Sequence, residues 1–303
     1  MRHAGGVLAA VASFAMATLL AQDRRAQFQS GVDLISVTAT VTNRDGHLVT
    51  GLPRDAFEVY EDGERQTIAQ FTSERVPVGL AVLLDVSDSM FGQRLADARG
   101  AVEHFLFELL DEEDEFAVVA FNHEPLPLTD WTQSPDKVRR AMSALRPSGS
   151  TALYDAMLTA LPMMETRTRQ RAAVLIISDG ADTASDVSIR EVRSALVRSD
   201  AFVYAIAIDP PVKRAINEAV NVTALNELTG GSGGNTEVVH ETAGLAEAAA
   251  RIAEELNSQY VIGYHSRRAP DGKYRTIRVR TTAPEYRVRA RRGYIAEARS
   301  RTR

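Results

Sequence analysis

The feature that most constrains the fold is a series of uninterrupted apolar segments that alternate with helical patterns through the middle of the chain. The apolar segments cover residues 78–84, 116–121, 173–177, 202–208 and 236–239. The helical patterns cover residues 93–110, 135–145, 152–165, 187–199, 214–229 and 244–257. Strands that are apolar on both faces are typical of parallel sheets covered by helices on each side. The sequence therefore predicts an α/β fold with a doubly wound, mostly parallel sheet over residues 76–257.

The segments on either side of this domain have the pattern of antiparallel strands. In residues 26–75 the apolar positions of 35–41 alternate with hydroxyl residues, and Asp45-Gly46 and Asp62-Gly63 predict hairpins. The second hairpin is expected between residues 57–60 and 67–69. Residues 258–296 show similar strand patterns around Asp271-Gly272. Because each segment is too small for its own core, we expect the two to pair into one small β-sandwich, with the α/β domain inserted between its halves and a basic tail at 297–303.

The first 21 residues have the character of a secretory signal peptide. An apolar stretch follows Arg2, and Ala15-Met16-Ala17 is an A-x-A-like cleavage pattern, so cleavage is expected near residues 17–21. The alternative is an uncleaved membrane anchor, because 18 apolar residues nearly span a bilayer. The stretch is dominated by alanine and glycine, which favours the signal. The chain has no cysteine, so it has no disulfide and no thiolate metal site. An exported protein, periplasmic or secreted, is expected.

Oxygen-bearing side chains follow the carboxyl ends of the predicted parallel strands. Asp85, Ser87 and Ser89 follow the first strand at alternate positions, Asp179 ends another buried strand, and Thr151 begins a helix after a glycine-containing loop. Ligands of open α/β sheets bind at this edge, near the point where strand order reverses. All five are hard donors, which suit Mg²⁺ above all, with Mn²⁺ or Ca²⁺ as alternatives. Two carboxylates only neutralise such an ion, so it would still attract a carboxylate from another molecule.

This set resembles the metal-ion-dependent adhesion site of von Willebrand factor type A domains, which Asp85-x-Ser87-x-Ser89, Thr151 and Asp179 match residue for residue. The segments DVSDSM, GSTALYDA and ISDGADT are similar to those of the family. The chain as a whole is similar to a bacterial type, common in acidobacteria, in which a QYVIGY…DGKYRTIRVR…RRGY segment follows the domain. The resemblance implies that the two serines bind the metal directly, and that the threonine and the acids bind it directly or through water. Asp88 departs from the family, where glycine is frequent, at a position that is not a ligand.

These observations favour a non-catalytic binding module that engages a protein partner presenting Asp or Glu. One alternative is a magnesium-dependent phosphatase of the haloacid-dehalogenase type. Such enzymes need a second acid two residues after the nucleophilic aspartate, and this chain has Ser87 there. Another alternative is a structural envelope protein whose metal only fixes loops.

The C-terminal segment is strongly basic. From His265 to Arg303 there are twelve arginines and one lysine against three acids, which gives +10 (12 + 1 − 3). Arg278 and Arg280 share one strand face, and Arg287, Arg289 and Arg291 share another. These strands are a candidate surface for an anionic polymer or lipid, although alternating arginine is also typical of a solvated sheet face. Nucleic acid is disfavoured, because an exported protein meets little of it.

Overall fold

The computed structural model describes residues 34–179, 181–209 and 220–297. Strands and helices alternate in the middle of the chain, and strands predominate on both sides of this part. The strands are β1 (Leu34–Thr42), β2 (Phe57–Glu61), β3 (Glu64–Gln66), β4 (Ile68–Thr72), β5 (Val78–Asp85), β6 (Glu115–Phe121), β7 (Pro125–Thr132), β8 (Arg171–Ser178), β9 (Phe202–Ile208), β10 (Thr236–Val239), β11 (Tyr260–His265), β12 (Tyr274–Thr281), β13 (Arg287–Ala290) and β14 (Gly293–Ile295). The helices are α1 (Gln93–His104), α2 (Pro135–Ser143), α3 (Leu153–Met163), α4 (Ile189–Arg198), α5 (Val222–Ser232) and α6 (Leu245–Asn257).

The central sheet has six strands in the order β10-β9-β8-β5-β6-β7. All neighbours are parallel except β6 and β7. Every residue of β5, β6, β8 and β9 is buried, because α1, α2 and α6 cover one face of the sheet and α3, α4 and α5 cover the other. The expected doubly wound α/β fold is confirmed.

The strand order reverses at β5. The chain passes from β5 to β6 on one side and later returns to place β8 on the other side. Crossovers therefore leave β5 in both directions, and a crevice forms beyond its carboxyl end. Asp85 is the last residue of β5, which puts it at the bottom of this crevice.

Two four-stranded antiparallel sheets combine strands from both flanks of the domain. Their orders are β13-β1-β11-β4 and β14-β12-β2-β3, so each sheet takes two strands from before the domain and two from after it. One apolar cluster includes side chains of both sheets, among them Val37, Val59, Tyr260 and Ile277. The two flanks thus form one β-sandwich, as expected. The domain bounds at 26–75, 76–257 and 258–296 stay a prediction.

A buried polar network joins the sandwich to the central domain. Thr40 of β1 and Tyr204 of β9 both donate hydrogen bonds to Oε1 of Glu255 on α6, at 3.1 and 2.8 Å. Gln259 donates from Nε2 to the Tyr204 hydroxyl at 2.8 Å, and Arg289 of β13 pairs with Oε2 of Glu255. The Glu255 side chain is only 9% exposed, so its charge depends on these partners.

Two expected hairpins differ from the structure. Asp62-Gly63 does form a tight turn, with positive φ at both residues (48° and 83°), but it joins β2 to β3 rather than to residues 67–69. Residues 68–72 form β4, which pairs with β11 in the other sheet. Asp271-Gly272 does not close a hairpin, because β11 and β12 lie in different sheets.

The central domain also differs in two elements. β7 is not among the predicted apolar strands. It is an antiparallel edge strand, in which Pro125 and Pro127 are tolerated because an edge strand has one unpaired side. The helix expected over 214–229 begins at Val222, where the Asn221 side chain accepts a hydrogen bond from the Ala224 amide at 3.0 Å. It ends at Ser232 before a left-handed Gly233, and the first residues of the expected helix lie outside the described residues.

Some predictions concern parts of the chain outside the described residues. The signal peptide over 1–21, residues 26–33 of the first β segment and almost all of the basic tail are among them. Within the described ranges, no helix combines the length and the apolar character needed to span a bilayer.

Candidate metal centre

Asp85 is held rigidly at the end of β5. Its carboxylate is fully buried, and Oδ1 accepts a hydrogen bond from the Ser87 amide at 2.8 Å. Oδ2 accepts one from the Ser178 hydroxyl at 2.5 Å. Ser178 ends the neighbouring strand β8, so two adjacent strand ends fix the orientation of this carboxylate.

The loop after β5 connects Asp85 to the second acid through a chain of hydroxyl groups. A short 3₁₀ turn at Asp88–Met90 brings the Ser87 and Ser89 hydroxyl oxygens to 3.0 Å from each other. Ser89 then donates to Oδ1 of Asp179 at 2.5 Å. The structure thus brings four of the five predicted residues, Asp85, Ser87, Ser89 and Asp179, into one cluster.

Thr151 lies on a loop that is bonded to this cluster through the backbone. The Ser148 amide donates to the Val86 carbonyl, and the Asp88 amide donates to the Gly149 carbonyl, both at 2.9 Å. Thr151 is 5% exposed, and its amide donates to the Thr183 hydroxyl at 3.1 Å. No hydrogen bond to a described residue involves the Thr151 hydroxyl. That hydroxyl therefore remains available to a ligand bound in the crevice.

Arg94, which the sequence did not indicate, contacts the cluster from the first turn of α1. Its Nη1 donates to Oδ2 of Asp179 at 3.0 Å and to the Ser89 carbonyl at 2.7 Å. This guanidinium offsets one of the two carboxylate charges. No spacing rule links Arg94 to Asp179, 85 residues away. The role of Ser178, by contrast, follows from strand register, because Leu84 pairs with Ile177.

Burial sets the electrostatics of the cluster. Desolvation raises the pKa of Asp85 to about 6, against the lowering effect of its hydrogen bonds from Ser178 and Ser87, and the nearby Asp179 adds a smaller upward shift. An ionised Asp85 is therefore costly in the folded protein. A cation placed between the two carboxylates would reduce that cost.

Three neighbouring acids serve other purposes. Asp182 accepts a hydrogen bond from the Tyr154 amide at 3.2 Å and so caps the first turn of α3. Asp155 accepts hydrogen bonds from the Asp186 and Val187 amides at 3.0 and 3.3 Å. Asp88 is exposed to solvent. Burial is the main reason that the pKa of Asp182 is raised. Asp182 and Asp155 thus hold the loops around the crevice.

Two large apolar side chains are exposed at this edge of the sheet. Phe91, two residues after Ser89, is 79% exposed. Leu126, just after the turn between β6 and β7, is 54% exposed. Both side chains are therefore accessible to another molecule.

The donor chemistry of the cluster fits a hard divalent cation. Two carboxylates and three hydroxyls are all oxygen donors, and they come from three separate loops at one sheet edge. Within the described ranges there is no group of three or more His, Cys, Asp or Glu side chains arranged to hold a metal. Any metal site at this edge therefore depends on its serine and threonine hydroxyls.

The family of the central domain follows from residues 80–181, which match the family model of the von Willebrand factor type A domain. The chain contains a von Willebrand factor type A domain. The matched range includes Asp85, Ser87, Ser89, Thr151 and Asp179, and the topology described above is that of the domain.

Individual relatives extend this finding. The chain is 27% identical over 162 residues to the minor fimbrium subunit Mfa5 of Porphyromonas gingivalis. The matched region is 51% of this chain but only 13% of that protein. Among solved structures, a von Willebrand factor type A protein from Catenulispora acidiphila is 14% identical and covers 86% of this chain and 73% of its own, with a TM-score of 0.53. The PilB minor pilin from Streptococcus sanguinis is 12% identical and covers 62% and 63%, with a TM-score of 0.51. At such identities the two structures show the shared fold.

Proposed function

We propose that the chain is an exported, non-catalytic protein-binding module that engages a partner carboxylate through a divalent cation, Mg²⁺ above all. Asp85, Ser87, Ser89, Thr151 and Asp179 would hold the cation. When bound, it supplies an electrophilic coordination position for an oxygen of the partner. The observation that carries the proposal is the hydroxyl chain from Ser87 through Ser89 to Asp179, beside the buried Asp85.

The charge of the cluster supports an anionic partner. Asp85 and Asp179 contribute two negative charges and Arg94 contributes one positive charge, which leaves −1 in the cluster. A bound divalent cation would change the net charge of the cluster to +1. A carboxylate is the one protein side-chain group that neutralises such a site while supplying a hard oxygen donor. Asp or Glu of a partner is therefore the expected contact.

The surroundings of the cluster support binding rather than catalysis. Both oxygens of Asp85 accept hydrogen bonds, and the carboxylate is fully buried, an arrangement that suits an orienting ligand better than a nucleophile. The exposed Phe91 offers an apolar contact next to the metal position, as in the aromatic anchors of protein interfaces.

The relatives support adhesion and export. A fimbrium subunit and a minor pilin are, by their names, components of surface appendages. The signal-like first 21 residues agree with passage out of the cytoplasm. We infer that this chain too acts outside the cytoplasm, in protein–protein contacts.

Affinity capture tests the proposal. The immobilised full chain is incubated with envelope extract in Mg²⁺ or in EDTA, as wild type, Thr151→Ala, Asp179→Asn and the matched control Asp88→Asn. We expect capture in Mg²⁺ that is lost in EDTA and in Asp179→Asn, weakened in Thr151→Ala, and kept in Asp88→Asn, because Asp88 is an exposed acid of the same loop that is not a ligand. Capture that persists unchanged in EDTA would show that the metal is not the contact.

A further inference from the structure

A cavity at the other end of the molecule has the character of an anion site. It lies where the end of α5 meets β12 and β13 and has a volume of ≈ 910 Å³. Gly234, in its wall, packs against Val203 at the amino end of β9, so the cavity is at the sheet edge opposite to Asp85. Its walls are glycine backbone near the end of α5 and a group of arginines, Arg278, Arg280, Arg289, Arg291 and Arg292. None of the described residues that line it is acidic.

Two of these arginines are committed to the fold. Arg289 pairs with Glu255 and donates to the Gly234 carbonyl at 2.9 Å. Arg291 donates to the Ser36 carbonyl at 2.7 Å and lies 5.6 Å from the centre of the Tyr294 ring. These contacts give both arginines a structural role that requires no ligand.

The side chains of the other three arginines form no hydrogen bond to a described residue. Arg278, Arg280 and Arg292 are exposed, and none of them forms an ion pair with a described residue. Arg280 lies 5.8 Å from the centre of the Tyr60 ring. Glu58 faces Arg280 across the strand pair, but it binds Arg65 at 3.1 Å instead. Three positive charges thus share one cavity without a neutralising partner.

The close packing at Gly233 fixes the shape of this cavity. A side chain at this position would place its Cβ 2.7 Å from the Ala290 carbonyl carbon, and the residue has a φ of 97°. The Arg292 amide donates to the Gly231 carbonyl at 3.3 Å. The end of α5 is therefore bound to the arginine-bearing segment, which fixes the backbone of this wall of the cavity.

We propose that this cavity binds a phosphate monoester through Arg278, Arg280 and Arg292. A phosphate monoester carries about −1.5 to −2 charges at pH 7 and offers three acceptor oxygens, whereas a single carboxylate would leave most of the positive charge unbalanced. Guanidinium groups bind phosphate oxygens in bidentate geometry. The volume falls within the range of small-molecule sites, so the phosphate is carried on a larger body. That body is either a soluble ester or a lipid headgroup.

The test uses the full chain in EDTA, which keeps any metal at Asp85 out of the measurement. Glycerol 3-phosphate is titrated by calorimetry at low salt, and succinate serves as a dicarboxylate of similar charge. Binding to vesicles of phosphatidylcholine, with and without phosphatidic acid, is measured by co-sedimentation. The variant carries Arg278→Gln, Arg280→Gln and Arg292→Gln. The matched control carries Arg139→Gln, Arg193→Gln and Arg198→Gln, which remove the same charge from exposed surface pairs elsewhere.

We expect saturable binding of at least one phosphate ligand by the wild type and the control, and binding more than about tenfold weaker in the cavity variant. Binding of glycerol 3-phosphate identifies a soluble ester, and binding confined to phosphatidic acid vesicles identifies a lipid headgroup. A single Arg292→Gln variant, whose melting temperature should match that of the wild type, checks that weaker binding does not reflect misfolding. Binding of neither ligand, equal weakening in the control, or succinate binding as tight as that of the phosphates overturns the proposal.

Discussion

The buried charge at the centre of the proposed metal site predicts a stability effect of unusual sign. Replacing Asp85 by Asn removes a carboxylate whose pKa burial raises from 3.8 to about 6. In the absence of metal and at pH 7, ionising Asp85 costs the folded state about 3 kcal/mol, from about two pKa units at 1.36 kcal/mol each. The amide keeps the shape of the group: its oxygen can still accept from the Ser87 amide, and its NH2 group would donate to the Ser178 hydroxyl, which now donates to Asp85. Asp85→Asn should therefore be more stable than the wild type in EDTA, by up to about 3 kcal/mol.

The effect depends on pH in a defined direction. Below the unfolded-state pKa of 3.8, Asp85 is protonated in both states, so the two proteins should be about equally stable. The cost to the wild type grows as the pH rises from 3.8 to about 6, where the folded state also ionises, and is constant above that. The melting temperatures should differ by up to about 6–12 °C at pH 7.

Thermal unfolding of both proteins, at pH 4 and pH 7 in EDTA and again with excess Mg²⁺, measures this effect. Added Mg²⁺ should raise the melting temperature of the wild type and leave that of Asp85→Asn unchanged, because a ligand stabilises only the state that binds it. An Asp85→Asn protein that is less stable than the wild type in EDTA at pH 7 would refute the reasoning. So would a difference in stability that does not change between pH 4 and pH 7.

Three further changes should have measurable effects. Arg94→Gln should tighten Mg²⁺ binding several-fold in calorimetry, because it removes a cation that competes for Asp179, and weaker binding would contradict this role. Arg289→Met should lower the free energy of unfolding in urea by about 3 kcal/mol, because it removes the ion-pair partner of Glu255. Adding Glu255→Gln should recover much of this loss. No recovery would show that the pair does not couple the sandwich to the domain. A fragment of residues 26–75 should show no cooperative melt, because the partners of β1 are β11 and β13, whereas residues 76–257 should fold alone.

The fold of the central domain and the clustering of four of the five candidate ligands were predictable because both depend on local signals. The apolar run of β5 marks a strand buried on both faces, and its abrupt end at Asp85 locates the functional edge of the sheet. Ser87 and Ser89 follow within one short turn, so their proximity is encoded in a few residues. Asp179 occupies the corresponding end of the neighbouring strand.

Long-range contacts were not predictable in the same way. Arg94 contacts Asp179 only because the first turn of α1 lies beside the residue that follows β8 in the folded chain, and a side-chain conformation decides that contact. The turn at Asp62-Gly63 was predicted correctly, but its second strand was not, because residues 68–72 pair with β11 in the other sheet and no local signal specifies that pairing. In the sequence, the arginines of β12 are equally typical of a solvated sheet face. Only the cavity that they share with the end of α5 distinguishes them from such a face.

The most direct test of the metal centre is a calorimetric titration of the purified protein with Mg²⁺, carried out on the wild type, Asp85→Ala and the control Asp88→Ala. The proposed site predicts one binding site per chain in the wild type and the control, and none in Asp85→Ala, whose circular dichroism should stay that of the wild type. Equal Mg²⁺ binding by Asp85→Ala, or no binding by the wild type, would contradict the assignment of these residues as a metal centre.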